Sequence, residues 1–327
     1  MAFETPVLLL FFNRPDLGKM QINKLREVKA KRIYVSVDGK RDGVNSDIEL
    51  VDSCCRLVDE IDWSCQVKTR FSNVNFGCGH GVVKAIDWFF ENEKEGIILE
   101  DDCFPSNQFF DFCQKSLKKY RESEKVLLIS GDRSSISSHL KKNQCYFTKY
   151  SPIWGWATWR TTWEQFQLDI PSWRTSDFNS DMLKAWLGSE KPSRIWEKKF
   201  DEIRSKFPHI DYWDYSLSYL LFKKQAFSLL PPSNLIKNFG FSNNATHTVY
   251  NINPRSTCSH EAYSRIVYPK TTESDLKADR LIEVQHHRMY FWKYIFQNKN
   301  FYYILKQATK NPFLFLRLLI AKAKKLV

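Results

Sequence analysis

The chain has 327 residues, 43% of them hydrophobic, with 25 Phe, 14 Tyr and 11 Trp, and a formal net charge of +12. So many apolar and aromatic side chains, with no low-complexity tract, exclude a disordered or fibrous protein and leave room for a sizeable buried core. The eight cysteines include no C-x-x-C pair, and Met1-Ala-Phe-Glu-Thr-Pro-Val lacks the basic-then-apolar order of a signal peptide. Reduced, buried thiols in a cytoplasmic setting are therefore expected, rather than a zinc site.

In chain order, residues 6–12 form a short apolar run broken by Asn13-Arg14-Pro15-Asp16, which reads as a buried strand feeding a turn and a helix. Residues 32–39 repeat that rhythm as a second strand ending at Asp38-Gly39. A helical stretch at 47–62, a third strand at 66–71, helical spacing over 81–93 and a strand at 96–99 follow. Residues 109–120 read as a helix, 126–130 as a strand and 151–173 as irregular and Trp-rich. Residues 174–210 are helical and polar, 213–222 form a helix, 229–248 are loop-like, and from about Asp279 the chain turns helical and basic. Strands alternating with helices predict an α/β fold, a mostly parallel Rossmann-like sheet flanked by helices on both faces. In such sheets ligands sit beyond the carboxyl ends of the strands, where this sequence places Asn13-Arg14, Asp38 and Glu100-Asp101-Asp102.

Three consecutive carboxylates directly after an apolar strand repel one another unless a cation or a ligand offsets them. Hard oxygen donors favour Mg²⁺ or Mn²⁺, which keep several waters and take further ligands from substrate phosphates. The plain alternative is a helix-capping turn, although Ser106 is the better cap for the helix that follows.

Glu100-Asp101-Asp102 followed by Cys103-Phe104-Pro105-Ser106-Asn107-Gln108-Phe109-Phe110 resembles the acidic signature of GT-A glycosyltransferases, particularly the N-acetylglucosaminyltransferase I type and its bacterial relatives. Four further stretches fit in the same order: residues 6–16, residues 35–39, Ile153-Trp154-Gly155-Trp156-Ala157-Thr158-Trp159, and Tyr212-Trp213-Asp214-Tyr215 with the loop 234–248. Together they span residues 5–250. The resemblance implies a GT-A catalytic unit with a nucleotide-sugar-binding half at 1–105, an acceptor-binding half at 106–278 and a basic helical region at 279–327. It implies an inverting transfer from a nucleotide diphosphate sugar, with a uridine nucleotide favoured. Glu100 would face the donor sugar, Asp101 the ribose and Asp102 the metal, with Arg14 and Asp38 meeting phosphate and base beside Asn13. His80 would lie beside the base, and His247, in a loop that closes over the donor, would reach the metal or diphosphate. Asp214 would be the catalytic base.

That role is chemically coherent, because one carboxylate taking a proton from an acceptor hydroxyl opposite a bound diphosphate needs no covalent nucleophile. The alternative for Asp214 is a carboxylate complementing a helix dipole, and Asp211 is the competing acid. Trp154, Trp156 and Trp159 around Gly155 are candidates for stacking on sugar faces, with core packing the alternative, and Gly155 would let the backbone approach a ligand.

Between Val284 and Val327 there are nine Lys or Arg and no Asp or Glu. Residues 312–327 read as a basic amphipathic helix too short to span a bilayer. It would lie on an anionic membrane surface at the inner face of the membrane, or pack on the domain. A glycan or lipid-linked glycan acceptor in cell-surface polysaccharide or lipopolysaccharide synthesis would suit that location. No nucleic-acid module accompanies the charge. Two rival readings are a nucleotidylyltransferase acting on sugar phosphates and a non-catalytic glycan- or membrane-binding module.

Overall fold

The computed structural model describes residues 3–134, 136, 140–240 and 259–286. Its strands and helices follow in the order β1 (Val7–Phe11), α1 (Pro15–Glu27), β2 (Arg32–Val37), α2 (Asn45–Arg56), β3 (Gln66–Phe71), α3 (Gly77–Asn92), β4 (Glu95–Glu100), β5 (Cys103–Pro105) and α4 (Asn107–Tyr120). Then come β6 (Val126–Ser130), β7 (Tyr146–Thr148), β8 (Trp156–Trp159), α5 (Arg160–Trp163), α6 (Ser180–Leu187), α7 (Glu190–Lys206), α8 (Asp214–Lys223), β9 (Phe227–Leu230), β10 (Ile236–Asn238) and α9 (Leu276–Leu281).

Eight strands form one sheet in the order β3-β2-β1-β4-β8-β6-β9-β7. β1 runs parallel to β2 and β4, β2 to β3, and β6 to β9, whereas β8 lies antiparallel between β4 and β6 and β7 antiparallel at the edge. The α/β class and the mostly parallel sheet expected from the sequence are therefore present, with strands drawn from both sides of residue 105.

The sequence of β1 explains its central place. All five residues of Val-Leu-Leu-Leu-Phe are buried. Leu8 and Leu10 enter one core layer, and Val7, Leu9 and Phe11 enter the other. A continuous apolar run buried on both faces is what a parallel strand between two helical layers requires. Ile22 and Leu25 of α1, Val51 and Cys54 of α2, and Phe109, Phe110, Cys113 and Leu117 of α4 cover one face. Ala85, Ile86, Phe89 and Phe90 of α3, with Trp196, Phe200 and Ile203 of α7 and Leu217 and Leu221 of α8, cover the other.

Besides α3, which starts at Gly77 rather than at 81, two segments differ from expectation. The stretch 151–173 contains β8 and α5, and the loop-like stretch from 229 contains the end of β9 and all of β10. Strands of three or four residues are too short to show an alternating pattern; tertiary pairing selects them. β5 and β10 form a separate antiparallel pair, with Cys103 opposite Asn238. The helical onset near residue 279 is present as α9 and a π turn at Ile282–His286. The amphipathic stretch 312–327 lies outside the described residues. Among the described residues no helix is long and apolar enough to cross a membrane, and the described cysteines are free thiols.

Candidate active site

The strand register levels the carboxyl ends of β1, β2 and β4: Leu10 lies opposite both Ser36 and Glu100. The residues that follow, Asn13-Arg14, Asp38 and Asp101-Asp102, all leave the sheet at one edge and line one cavity of about 680 Å³.

The acidic turn is fixed from both sides. From α1, the Gln21 amide donates to the carbonyls of Glu100 (2.6 Å) and Cys103 (2.8 Å). From the end of β10, Asn238 Nδ2 donates to Asp102 Oδ1 at 3.0 Å, and the Phe239 amide donates to the Asp102 carbonyl at 2.8 Å. A side chain at Gly240 would place its Cβ 2.2 Å from Asp102 Oδ2 and would displace that carboxylate. Arg14 Nη1 stands 2.9 Å from Asp101 Oδ1 and 3.6 Å from Asp102 Oδ2.

One guanidinium does not offset three recessed carboxylates. Burial, then Asp102, Asp101 and Asp214, push Glu100 well above the usual carboxylate range. Burial lifts Asp101 to about 7 although Arg14 pulls it down. Burial also raises Asp102, against the opposing pull of Arg14, Cys103 and Asn238. The turn thus stores unfavourable charge that a bound cation would relieve.

On the β2 side, Asp38 accepts from the amides of Gly39 (3.0 Å), Phe76 (3.1 Å) and Gly77 (3.1 Å) and from Asn75 Nδ2 (3.3 Å). It thereby caps the start of α3, while burial pushes its own carboxyl above the usual carboxylate range. Gly81 lets α3 come close, since a Cβ there would lie 3.0 Å from Asp38 Oδ2. Asn13 donates to Asp47 Oδ1 (2.9 Å), which Arg41 also grips through Nε (2.6 Å, to Oδ2) and Nη2 (2.8 Å). The Arg41 guanidinium sits 5.3 Å from the Phe12 ring.

The rest of the lining comes from α7, the 211–213 segment and the head of α8: Lys199, Asp211, Tyr212, Trp213, Asp214 and Tyr215. Asp214 is the first residue of α8, and its charge adds to those that push Glu100 up. Asp211 Oδ1 accepts the Cys78 amide at 3.0 Å, which engages this competing acid with α3.

The cavity therefore gathers Asn13, Arg14, Asp38, Glu100, Asp101, Asp102, Trp154 and Asp214. It does not include Trp156, Gly155 or His80. Trp156 is 1% exposed and stacks on Trp213 with centroids 5.6 Å apart, so core packing claims it rather than a sugar face. Gly155 has φ +59°, and a Cβ there would lie 2.4 Å from Ile236, so its need is a tight turn and not a ligand. His80 Nε2 lies 2.8 Å from the Pro208 carbonyl. His247 lies outside the described residues. Sequence reasoning missed Arg41, Arg70, Asn75, Cys78, Lys199, Tyr212, Tyr215 and Asn238. Only the tyrosines carried a signal, as neighbours of Asp214.

Among the described residues no three His, Cys, Asp or Glu side chains converge as a complete metal nest. The donor set is nevertheless of the kind Mg²⁺ or Mn²⁺ uses: one or two carboxylates, Asp102 and Asp101, with substrate oxygens and water to complete it.

No family model matches the chain, and no curated protein matches it. Among solved structures, a cytidylyltransferase from Leptospira borgpetersenii is 8% identical with a TM-score of 0.32 over 50% of this chain, which spans 63% of that protein's length. HddC from Yersinia pseudotuberculosis is 11% identical with a TM-score of 0.32, over 50% of this chain and 80% of that one. UDP-glucose pyrophosphorylase complexed with UDP-glucose is 8% identical with a TM-score of 0.32, over 69% of this chain and 89% of that one. Likeness this remote leaves the chemistry to be read from the chain's own residues.

Proposed function

We propose that the chain is an inverting glycosyltransferase that moves a sugar from a nucleotide diphosphate donor to a hydroxyl of a glycan or lipid-linked glycan, in cell-surface polysaccharide synthesis. The observation that carries this reading is the convergence on one cavity of acids from two distant parts of the chain. Glu100, Asp101 and Asp102 with Arg14 lie at the strand edge, and Asp214 at the head of α8 lines the same cavity.

In this reading Arg14 holds the diphosphate, and Asp102 with Asp101 would hold Mn²⁺ or Mg²⁺, which when bound neutralises the departing diphosphate. Asp214 takes the proton of the acceptor hydroxyl. The acceptor oxygen forms its bond to the anomeric carbon as the bond from that carbon to the diphosphate oxygen breaks. The electron pair leaves with the nucleotide diphosphate, and one displacement inverts the centre. A nucleotidylyltransferase is less well served by this edge. The β1–α1 turn is Asn13-Arg14-Pro15-Asp16 and offers no glycine-rich loop of amides to cradle a triphosphate.

The test is calorimetric binding of uridine diphosphate with and without Mn²⁺ to the wild type and to Asp102→Asn, followed by product analysis with uridine diphosphate sugars. Metal-dependent binding lost in the variant, with uridine diphosphate released on turnover, supports the transferase. Absence of nucleotide binding under any metal overturns it, and pyrophosphate release from a nucleoside triphosphate and a sugar phosphate replaces it with the nucleotidylyltransferase.

A further inference from the structure

Beside Asp214 the cavity wall holds a cation placed with some care. Tyr212 and Tyr215 meet edge to face, centroids 5.3 Å apart and planes at 85°. Lys199 of α7 reaches over both, with Nζ 4.9 Å from the Tyr215 ring and 6.0 Å from the Tyr212 ring. All three line the cavity together with Asp214, Ile153 and Trp154. The ring faces hold the ammonium in place at little entropic cost.

Its charge is not fully matched by its neighbour. Glu202 accepts from Lys199 at 3.1 Å and also from Lys206 at 2.7 Å, so two ammonium groups share one carboxylate. The other cationic lining residues, Arg14, Arg41 and Arg70, stand at the β1–β3 side of the cavity, where Arg14 faces Asp101 and Arg41 faces Asp47. A lysine is a point charge suited to a single anionic group, with no bidentate demand.

Resting on the transferase reading, we infer that the Asp214 side of the cavity is an acceptor subsite for an anionic sugar, with Lys199 pairing with a phosphate or carboxylate on the acceptor ring. Tyr212, Tyr215 and Trp154 offer aromatic faces to the sugar, and Lys199 sets its orientation so that a hydroxyl is presented to Asp214. Lys199 is a specificity residue, and the donor end of the cavity does not depend on it.

The test uses the full chain saturated with uridine diphosphate and Mn²⁺, titrated by calorimetry with a neutral methyl glucoside, with glucose 6-phosphate and with methyl glucuronide. The last two separate a phosphate source from a carboxylate source. One anionic probe is expected to bind about tenfold more tightly than the neutral one, the worth of one charge-assisted hydrogen bond. Added salt should erode that preference. Lys199→Gln should remove it, Lys199→Arg should keep most of it, and uridine diphosphate affinity and melting temperature should stay at wild-type values in both. Equal binding of all three probes by the wild type overturns the inference, as does a preference that survives Lys199→Gln. Either result with intact uridine diphosphate binding leaves the transferase standing, whereas loss of nucleotide binding by the wild type removes both.

Discussion

Asn238 donates to Asp102 across 136 residues of chain, Nδ2 to Oδ1 at 3.0 Å. This bond orients the carboxylate proposed to meet the cation, and groups that orient a metal ligand are worth about 10- to 100-fold in metal affinity. Asn238→Ala should weaken Mn²⁺-dependent uridine diphosphate binding by about tenfold on that scale. Calorimetry at fixed Mn²⁺ checks it, with unchanged circular dichroism as the control for folding.

Asp214→Asn should lower kcat by about 10²- to 10⁴-fold, the usual worth of a general base, while the donor KM changes little. Steady-state release of uridine diphosphate measures both. A variant with wild-type kcat would return the base role to Asp211.

The acidic turn makes the stability of the ligand-free protein pH-dependent. Asp101 is raised to about 7, and Glu100 and Asp102 are also raised. Groups raised in this way stabilise the fold below their unfolded value of about 4, and that contribution is lost as pH rises through the folded value. Without metal, melting temperature should therefore fall from pH 5 to pH 8. The increase caused by Mn²⁺ should be larger at pH 8 than at pH 6, because a cation must displace the protons held at lower pH. Differential scanning fluorimetry reads both trends.

Asp47 has the opposite sign. Its carboxyl is fully buried, and Arg41 holds it down at about 2, with Asn13 assisting. Its contribution is present above the unfolded value of about 4 and is lost as pH falls through 2. Asp47→Asn should cost about 1 to 3 kcal/mol near neutrality, the range for a buried hydrogen-bonded group losing its charged partner. The urea midpoints of variant and wild type should draw together as pH falls from about 4 and meet below about 2.

Trp156→Ala should cost about 3 to 5 kcal/mol, the range for emptying a large buried site. Trp154→Ala, at the cavity wall, should instead raise the KM for acceptor. Urea unfolding and steady-state kinetics on the two variants separate a core tryptophan from a site tryptophan.

The central parallel strands β1 and β4 were legible because each carries a continuous apolar run ending in polar residues, as in Ile97-Ile98-Leu99-Glu100, and the same rule pointed to the acids and Arg14. The start of α3 was hidden, because Gly77-Cys78-Gly79-His80-Gly81 has the composition of a loop. Asp38 and Asp211, distant in sequence, capture its first amides. Asn238 was invisible for a similar reason: its partner is set by the pairing of two three-residue strands. Lys199 sits in a helix whose many lysines look alike until the tyrosines are placed beside one of them. Trp156 and Trp154 differ by two residues and by one turn at Gly155, and only the fold decides which of them meets the cavity.

The antiparallel β8 divides the sheet into two parallel blocks, β3-β2-β1-β4 on one side and β6-β9 on the other. Arg14, Asp38 and the acidic turn belong to the first block, while Lys199 and Asp214 to Tyr215 belong to the helices that follow β8 in the chain. The chain does not respect that seam, because β6 and β7 precede β8 in sequence yet lie on its far side, and β10 returns to pair with β5 beside the acidic turn. A crossover within β8 would part β6 from β9 and β5 from β10, so the two sides of the cavity are inherited together or not at all.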